Sequence, residues 1–362
     1  DKAMNDCVSL RNFNLHKLIH ATLHSHGKSV GIGGIDDSTL LAALECSPKS
    51  INAAANFSTL SLPGILSRVA NKGMLASYQD SMGVALRIAA QTSTTDFKQF
   101  DRYRLTEAGL FEEVPATGEI KSSTLTEEMH QNQVRQYARM FGVTRVMLIN
   151  DDLDALMQIP SKLGRMAAHT LEQAVITKLV EASTGAANSN FFYSNSSAKA
   201  KPNYAAGAET VLDIDSLGTA YKMFLDQVDS DGKPIMVEPS LLLVSNKNAV
   251  NAGKLFNDGS YRFTGTDIKE TIDNQWRGRF SPLVSPYLGT LGSTPSEDQW
   301  YLLPSPSDTA VVNVAFLRGQ TRPTIQQSEV DFHQLGVEMR GVFDFGVELW
   351  DRRLAVKMKG AA

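Results

Sequence analysis

The sequence predicts an α+β fold, and three stretches carry that prediction. Apolar residues recur at spacings of three and four between residues 160 and 185, which is typical of a long amphipathic helix. Residues 337–349 alternate between apolar and polar side chains, which is typical of a strand laid over a core. Between these stretches the pattern changes to short helices and short buried strands. The sequence therefore predicts a second domain between the long helix and the last strand.

Composition and charge argue against several classes of protein. The 362 residues are 42% hydrophobic and 20% charged, which allows a substantial core and two or more domains. No run is long enough for a membrane span, and the first thirty residues lack the apolar region of a secretory signal. The formal net charge of −4 provides no basic footprint for tight nucleic-acid binding. Cys7 and Cys46 lack metal-site spacing and suit a reducing compartment.

Residues 1–95 are predicted to form an arm that lies against another part of the structure. Short amphipathic pieces, including residues 62–74, alternate with glycine and serine, and no long core-like run occurs. His16, His20 and His24 are four residues apart and would share one helical face, a geometry that could hold zinc. The alternative is that they line one side of a short helix, because no carboxylate or thiolate lies in register with them.

Residues 97–147 are predicted to form a long two-stranded hairpin that reverses near residues 115–118, where proline and glycine favour a turn. An isolated hairpin of this length is marginally stable in water, so we expect another molecule or domain to support it. Its acidic tip could meet a basic patch on a neighbour, although two solvated faces would explain the same charges. The acids are Glu107, Glu112, Glu113, Glu119, Glu127 and Glu128 with the single base Lys121, and the bases that follow are Arg135, Arg139 and Arg145.

The long helix is predicted to follow a strand-like run at residues 146–149. Asn150, Asp151 and Asp152 can cap the first amides of a helix and complement its dipole. Pro160 suits the first turn of a second, longer helix that ends at Gly185 and measures roughly 35 Å. The predicted apolar stripe of this spine helix contains Leu163, Met166, Ala167, Leu171, Ala174, Val175 and Leu179.

The second domain follows a small, polar loop at residues 186–205. Helices are predicted at 216–228 and 246–256, and strands at 241–245, 300–303 and 310–317. Because the spine helix precedes this domain and the alternating strand at 337–349 follows it, the domain is predicted to be an insertion. The spine helix is expected to cover the last strand.

Catalytic motifs are present only as fragments. Lys28 and Ser29 end like a phosphate loop, but Thr22 stands where that loop needs its first glycine. A partial calcium loop comprises Asp229, Asp231, Gly232 and Glu238. Gln227 replaces its first aspartate, and an Asp-Gly turn between a helix and a strand explains the same residues. The residues alone therefore predict a non-enzymatic protein whose arm and hairpin need partners, with no catalytic residue, metal or cofactor.

Four motifs occur in a fixed order along the chain. They are GEIKSSTL at 118–125, FGVTRVMLINDDL at 141–153, IPSKLGRMAA at 159–168 and GVEMRGVFDFGVELWDRR at 336–353. Together they resemble the major capsid proteins of tailed bacteriophages. The nearest group is similar to the one in which a Clp-like prohead protease is fused upstream of the capsid protein, and ANKGMLASYQ at 70–79 fits that group. If so, Asp1 would mark a cleavage product that has lost its protease.

The resemblance implies a phage major capsid fold, also called the Johnson fold, with four parts. The N-terminal arm would be residues 1–95 and the extended loop, which is the hairpin, residues 96–145. The peripheral domain would combine residues 146–204 and 326–362, and the inserted axial domain would be residues 205–325.

The resemblance also implies a function in assembly. Hexamers and pentamers would build the icosahedral head around double-stranded DNA, which the inner face would meet without reading its sequence. Expected partners are sister copies, a portal protein, and cement or decoration proteins, and the expected location is the virion after assembly in the host cytoplasm. Asp151 and Asp152 are interpreted as helix caps. The candidate contacts between subunits are Glu112, Glu113, Glu119, Lys121, Arg135 and Arg139.

Two other functions and one modification stay open on the sequence. An encapsulin-like cargo compartment shares the fold, and iron or a cargo enzyme inside purified shells would favour it. An enzyme would need a deep pocket with perturbed titratable groups, for which the sequence offers no cluster. Some relatives cross-link a lysine of the extended loop to an asparagine. Lys121 is the one lysine near the tip, but no asparagine can be assigned to it.

Overall fold

The computed structural model describes residues 62–105, 127–144, 153–180, 191–194, 201–229, 232–262, 271–291, 297–307, 310–327 and 336–360. Their contacts divide the chain into two compact units. Unit 1 holds the described parts of Asp1–Ser81, Gln136–Ala168 and Arg322–Phe343. Unit 2 holds those of Met82–Arg135, His169–Thr321 and Asp344–Ala362.

Helices and strands alternate irregularly through the described residues. The helices are α1 (Leu62–Asp80), α2 (Ala85–Ile88), α3 (Leu153–Leu179), α4 (Ile214–Leu225) and α5 (Ala249–Asn257), with 3-10 turns at Ala208–Thr210, Pro286–Gly289 and Arg352–Leu354. The strands up to the middle of the chain are β1 (Ala89–Thr94), β2 (Phe100–Leu105), β3 (Glu127–Asn132), β4 (Arg135–Thr144), β5 (Tyr204–Ala205), β6 (Leu241–Val244) and β7 (Ser260–Arg262). The later strands are β8 (Thr271–Asp273), β9 (Ser281–Val284), β10 (Trp300–Leu303), β11 (Val312–Leu317), β12 (Thr324–Gln327), β13 (Gly336–Leu349) and β14 (Val356–Met358).

The spine helix is α3, and two details of its prediction are wrong. Pro160 lies inside one continuous helix instead of starting a second one. The fixed φ of proline is compatible with a helix, but proline has no N–H for the helical hydrogen bond, which costs roughly 3 kcal/mol. The ring of Pro160 is buried. The helix ends at Leu179, not at Gly185, which lies outside the described residues.

The apolar stripe of α3 is confirmed in part. Leu163, Leu171, Val175 and Leu179 are buried, whereas Met166 is exposed. The buried face also takes in Ala168, Glu172 and Ile176. The buried face of the helix is therefore shifted relative to the predicted stripe. It is also wider, because neighbours pack against the helix on both sides.

The core of unit 1 is small and joins distant parts of the chain. Ala70 and Met74 of α1 pack with Leu163 of α3, Ile325 of β12 and Met339 of β13. Strand β12 pairs antiparallel with β13, from Thr324 opposite Val342 to Gln327 opposite Met339. The predicted amphipathic piece at 62–74 is thus confirmed as part of a helix that continues to Asp80.

Changing Gly164 to alanine is expected to destabilise unit 1. A Cβ at this position of α3 would overlap the backbone carbonyl of Met74 on α1, and backbone atoms cannot move aside as a flexible side chain can. We expect a loss of about 1–3 kcal/mol in the free energy of unfolding, measured by urea denaturation. At the matched control, Gly73 on α1, an added Cβ would meet only Ser161 Oγ at 3.9 Å. Gly73→Ala should stabilise the helix by up to about 1 kcal/mol, so equal effects of the two substitutions would argue against the close approach.

The described residues of unit 2 contain two larger sheets, besides the two-stranded sheets β2-β3 and β7-β8. In the first, β1 runs parallel to β11, and β11 pairs antiparallel with the second half of β13. The other has the order β5-β14-β10-β6-β9, with all four side chains of β10 buried. Its core includes residues of α4 and α5, among them Leu217 and Phe256. The helices and strands predicted for the second domain are therefore confirmed, with shifts of a few residues at their ends.

The last strand is confirmed as a long alternating strand next to the spine helix. Met339, Phe343 and Phe345 of β13 are buried and Arg340 is exposed. Within unit 1, a Cβ added to Gly341 would lie 3.3 Å from Leu163. Within unit 2, Lys178 Nζ lies 2.8 Å from Glu348 Oε2. Leu163 of the spine helix therefore packs next to β13 in unit 1, as expected, and in unit 2 the two elements share the ion pair of Lys178 and Glu348.

Several other expectations concern residues outside the described ones. They are the hairpin turn at 115–118, the strand-like run at 146–149, the histidines His16, His20 and His24, and the cysteines Cys7 and Cys46. The four-part division of the chain stays a prediction. Strand β1, from the predicted arm, pairs with β11, from the predicted inserted domain.

Candidate functional site

Strand β4 exposes side chains on both of its faces. Every residue from Arg135 to Met140 is exposed, although the strand pairs with β13. Side chains alternate along a strand, so Arg135, Tyr137 and Arg139 share one face and Met140, which is 61% exposed, lies on the other. Exposed apolar side chains that lie next to positive charges mark a surface suited to a partner.

The hairpin of β2 and β3 has a second exposed apolar pair. Its antiparallel ladder runs from Phe100 opposite Asn132 to Leu105 opposite Glu127, which confirms the predicted pairing for these residues. Tyr103 and Met129 lie directly opposite each other and are 61% and 52% exposed. Strands β2 and β3 form a two-stranded sheet of their own, an arrangement that is only marginally stable in water.

The structure places some of the predicted contact residues and leaves others undescribed. Arg135 and Arg139 both lie on β4 with exposed side chains, at the two ends of the same face. The remaining contact candidates, and the predicted helix caps, lie outside the described residues. They are Glu112, Glu113, Glu119, Lys121, Asp151 and Asp152.

A pocket of about 770 Å³ lies at the base of the hairpin in unit 2. Arg102 of β2 is opposite His130 of β3, and both approach the indole of Trp350. The Arg102 guanidinium lies 5.5 Å from the centroid of the indole ring. The imidazole of His130 stacks on the same indole, with the two ring centroids 6.4 Å apart. Among the described residues, Nε2 of His130 is buried without a hydrogen-bond partner. This pocket was not predicted from the sequence, because its walls come from segments up to about 270 residues apart.

A buried arginine clamp closes the C-terminal part of unit 2. The Arg353 guanidinium donates from Nη1 to Asp229 Oδ1 at 2.7 Å, from Nε to Asp351 Oδ1 at 2.9 Å and from Nη2 to Asp351 Oδ2 at 3.1 Å. All three side chains are largely buried. The pairing of Arg353 with two carboxylates explains why the charges can be buried at all.

The clamp and a turn account for the residues of the partial calcium loop. The amide of Gly232, whose φ is +80°, donates to the carbonyl of Asp229 at 2.9 Å, and the amide of Asp229 donates to the carbonyl of Lys233 at 2.7 Å. The carboxylate of Asp229 faces Arg353, and Asp231 lies outside the described residues. The geometry therefore supports the turn interpretation. The described residues contain no group of three or more metal-ligating side chains.

A lysine is buried in the second sheet, where it contacts an amide oxygen and a phenol ring. Lys357 of β14 is 2% exposed, and its Nζ donates to Gln299 Oε1 at 2.7 Å. Its ammonium also lies 5.2 Å from the ring centroid of Tyr301, whose hydroxyl donates to the same Oε1 at 3.1 Å. Burial lowers the pKa of Lys357 to about 7.

A buried glutamate on the spine helix links the start of α2 to the residue before the 3-10 turn Pro286–Gly289 in unit 2. Glu172 accepts from the amide of Ala85 and from the hydroxyl of Ser285, each at 2.7 Å. Burial and, secondarily, the Glu172 carboxylate raise the pKa of the nearby Tyr287. The burial of Glu172 was not predicted from the sequence. Its position beside Leu171 in the apolar stripe could have indicated it. For Lys357 the signal was its isolated position between Val356 and Met358.

None of the helices in the described residues combines the length and hydrophobicity that a membrane span requires.

One family of known proteins matches more than half of the chain. The family described as "Phage capsid protein" matches residues 127–358. No curated protein matches significantly. This match reaches from the second strand of the hairpin to the last strand of the fold.

Several solved structures are similar at low identity. The virus-like particle from Pyrococcus furiosus is 11% identical with a TM-score of 0.49, over 80% of this chain and 98% of that one. The structure of Gordonia phage Cozz is 12% identical with a TM-score of 0.48, over 92% and 97% of the two chains. The mature capsid of bacteriophage PhiM1 is 12% identical with a TM-score of 0.48, over 76% and 86%.

Proposed function

Since the chain belongs to the phage capsid protein family, as its match over residues 127–358 shows, we propose that it assembles as hexamers and pentamers into an icosahedral head that encloses phage DNA. It is a capsid shell protein, a structural component of the virion. The family match is the observation that carries the proposal. Rings of six and five use heterologous interfaces, so each copy must present two different surfaces that are complementary to each other.

The exposed strands are the surfaces that support this proposal. The basic and aromatic face of β4, with Arg135 and Arg139, suits an acidic segment of a neighbouring copy. The apolar pair Tyr103 and Met129 gives the hairpin something to bury against that neighbour. Each contact is modest, but many copies held together raise the effective concentration of every further contact. In this proposal the hairpin is the extended loop, and residues 205–325 form the axial domain near the ring centre.

The proposal includes partners beyond sister copies. A portal protein would occupy one vertex, and cement or decoration proteins would bind outside. The inner face would meet double-stranded DNA without sequence-specific contacts, which the net charge of −4 suits. Assembly would take place in the host cytoplasm. We also propose that the chain belongs to the group in which a Clp-like prohead protease is fused upstream of the capsid protein. N-terminal sequencing of the shell protein from particles tests this part of the proposal.

Electron microscopy of the purified protein tests the assembly proposal. Closed shells with rings of six and five support it, and nuclease-protected DNA in particles from infected cells supports DNA enclosure. A chain that stays a compact monomer at high concentration would refute it. Shells that contain a cargo enzyme or iron in place of DNA would favour an encapsulin-like compartment.

Reversing the two charges on β4 is expected to block assembly without unfolding the chain. The variant Arg135→Glu with Arg139→Glu places acids on a face that we propose meets an acidic segment, so shell yield should fall by at least about tenfold. Both side chains are exposed, so the free energy of unfolding should change by less than about 0.5 kcal/mol per site. Shell yield is measured by sedimentation and microscopy.

The matched control reverses two exposed lysines on other segments, Lys72 and Lys201. It makes the same change in net charge, so normal shell yield there separates a local effect of β4 from a general effect of charge. Full assembly of the β4 variant would exclude this face from the interface.

A further inference from the structure

Arg102 carries the positive charge among the described residues that line the pocket at the base of the hairpin. The ionisable residues of this described lining are Arg102, Tyr103, His130 and Asp351. Both carboxylate oxygens of Asp351 already accept hydrogen bonds from Arg353. No carboxylate among the described lining residues is therefore left to neutralise Arg102, whose side chain is exposed.

The opposite side of the same pocket is apolar. Leu86, Ala90, Ala310 and Leu354 lie on its walls together with the indole of Trp350. A volume of about 770 Å³ is in the range of pockets that bind compact ligands, and it has room for a few side chains. An occupant that fits both sides combines an apolar or aromatic group with an adjacent anion.

The chain itself contains a segment with that chemistry. Residues 110–114, at the predicted hairpin tip, read LFEEV, with Phe111 directly before Glu112 and Glu113. From Leu105 to Ile120 the sequence has four acids and no base. This segment lies outside the described residues.

We propose that the pocket at the base of the hairpin receives Phe111, Glu112 and Glu113 of a second copy, with Phe111 against the apolar wall and the carboxylates beside Arg102. This inference rests on the proposed function, because it requires copies to meet in a shell. It goes beyond that function by naming both sides of one contact.

The direction of the hairpin favours a second copy over the chain's own tip. The ladder passes from the pocket-lining pair of Arg102 and His130 to the pair of Leu105 and Glu127, and each strand residue advances the chain by about 3.3 Å. The described ladder therefore leads away from Arg102 as the chain approaches residue 105. A neighbouring copy can deliver the same segment without a reversal of the chain.

Cysteine cross-linking in assembled particles tests the contact. Ser307 lines the pocket and is exposed, so the variant Glu113→Cys with Ser307→Cys places one thiol on each side of the contact. The background carries Cys7→Ser and Cys46→Ser. A disulfide requires Cα atoms within about 7 Å, so we expect at least about tenfold more interchain cross-link than in a control that pairs Glu113→Cys with Ser260→Cys. Ser260 is exposed on β7 and does not line the pocket.

A charge exchange gives an independent reading. Arg102→Glu alone, and Glu112→Arg with Glu113→Arg alone, should each lower shell yield by at least about tenfold. The three substitutions together should restore shell yield to within about threefold of the wild type. If Arg102→Glu does not fold, as judged by circular dichroism, the cross-link decides, because it leaves Arg102 in place.

The outcomes separate this inference from the proposed function. Shells with the interchain cross-link support the contact. Shells without it, or with a disulfide within one chain, overturn the contact and leave the shell function standing. If the wild-type chain forms no shell at all, both are overturned.

Discussion

Replacing Arg353 with methionine is expected to remove about 3–5 kcal/mol from the free energy of unfolding. The substitution leaves the carboxylates of Asp229 and Asp351 largely buried and close together without their shared cation. Such a loss exceeds that of an ordinary surface salt bridge because the substitution removes the cation that two largely desolvated carboxylates share. Urea denaturation followed by circular dichroism measures the change.

The control for the clamp is Arg340→Met. Arg340 is exposed and donates from Nε to Gln326 Oε1 at 2.9 Å, so its loss should cost less than about 1 kcal/mol. Adding Asp229→Asn to Arg353→Met removes one of the two carboxylate charges that faced Arg353 and should recover about 1–2 kcal/mol. If Arg353→Met were as mild as Arg340→Met, the clamp would contribute nothing to stability.

Replacing Lys357 with methionine is expected to change how stability depends on pH. Burial lowers the pKa of Lys357 to about 7, against 10.5 as its ordinary value. Between these values the unfolded chain binds a proton that the folded chain does not, so the free energy of unfolding rises with pH. From pH 7 to 9.5 this group should contribute a rise of about 3 kcal/mol, which Lys357→Met should abolish. Stability is measured by urea denaturation at each pH, with all variants in the same assembly state.

Lys359→Met is the matched control for the buried lysine. Lys359 lies two residues further along the chain with an exposed side chain, so this variant should keep the rise. The measurement stops at pH 9.5 because burial raises the pKa of Tyr78 to about 12, and that of Tyr301 as well. Those phenols contribute stability that is lost as pH rises above 10, which would mask the lysine. A rise that persists in Lys357→Met would assign it to another group.

Both effects bear on the proposed shell. The arginine clamp and the buried lysine lie in unit 2, which also contains the hairpin strands β2 and β3. A hairpin that presents Tyr103 and Met129 to a neighbour needs a firm base, because ordering a mobile surface would consume part of the binding free energy. We therefore expect Arg353→Met to lower shell yield as well as stability.

Periodic patterns predicted the elements because they depend on neighbours along the chain. The spacing from Leu163 to Leu179 predicted α3, and the alternation from Met339 to Phe345 predicted β13. Pro160 misled the prediction because its local cost is real but was outweighed by packing that the sequence does not display. The same limit applies to Met166, which the spacing placed on the buried face.

The candidate site was predictable only where charge is patterned along one segment. Arg135 and Arg139 follow an acidic run and can be read as a basic strand. The pocket around Arg102 depends on Trp350, and the clamp joins Arg353 to Asp229, which is 124 residues away. The residues next to an arginine in the sequence do not indicate which distant side chain it will contact.

By itself the sequence determined the α+β class, the spine helix, the long last strand and the segregated charges of the hairpin, because each is written in the order of neighbouring residues. Only the tertiary structure decided which charged side chains are buried and what they face. Arg353, Lys357 and Glu172 look like surface residues in the sequence, and only the fold removes them from water.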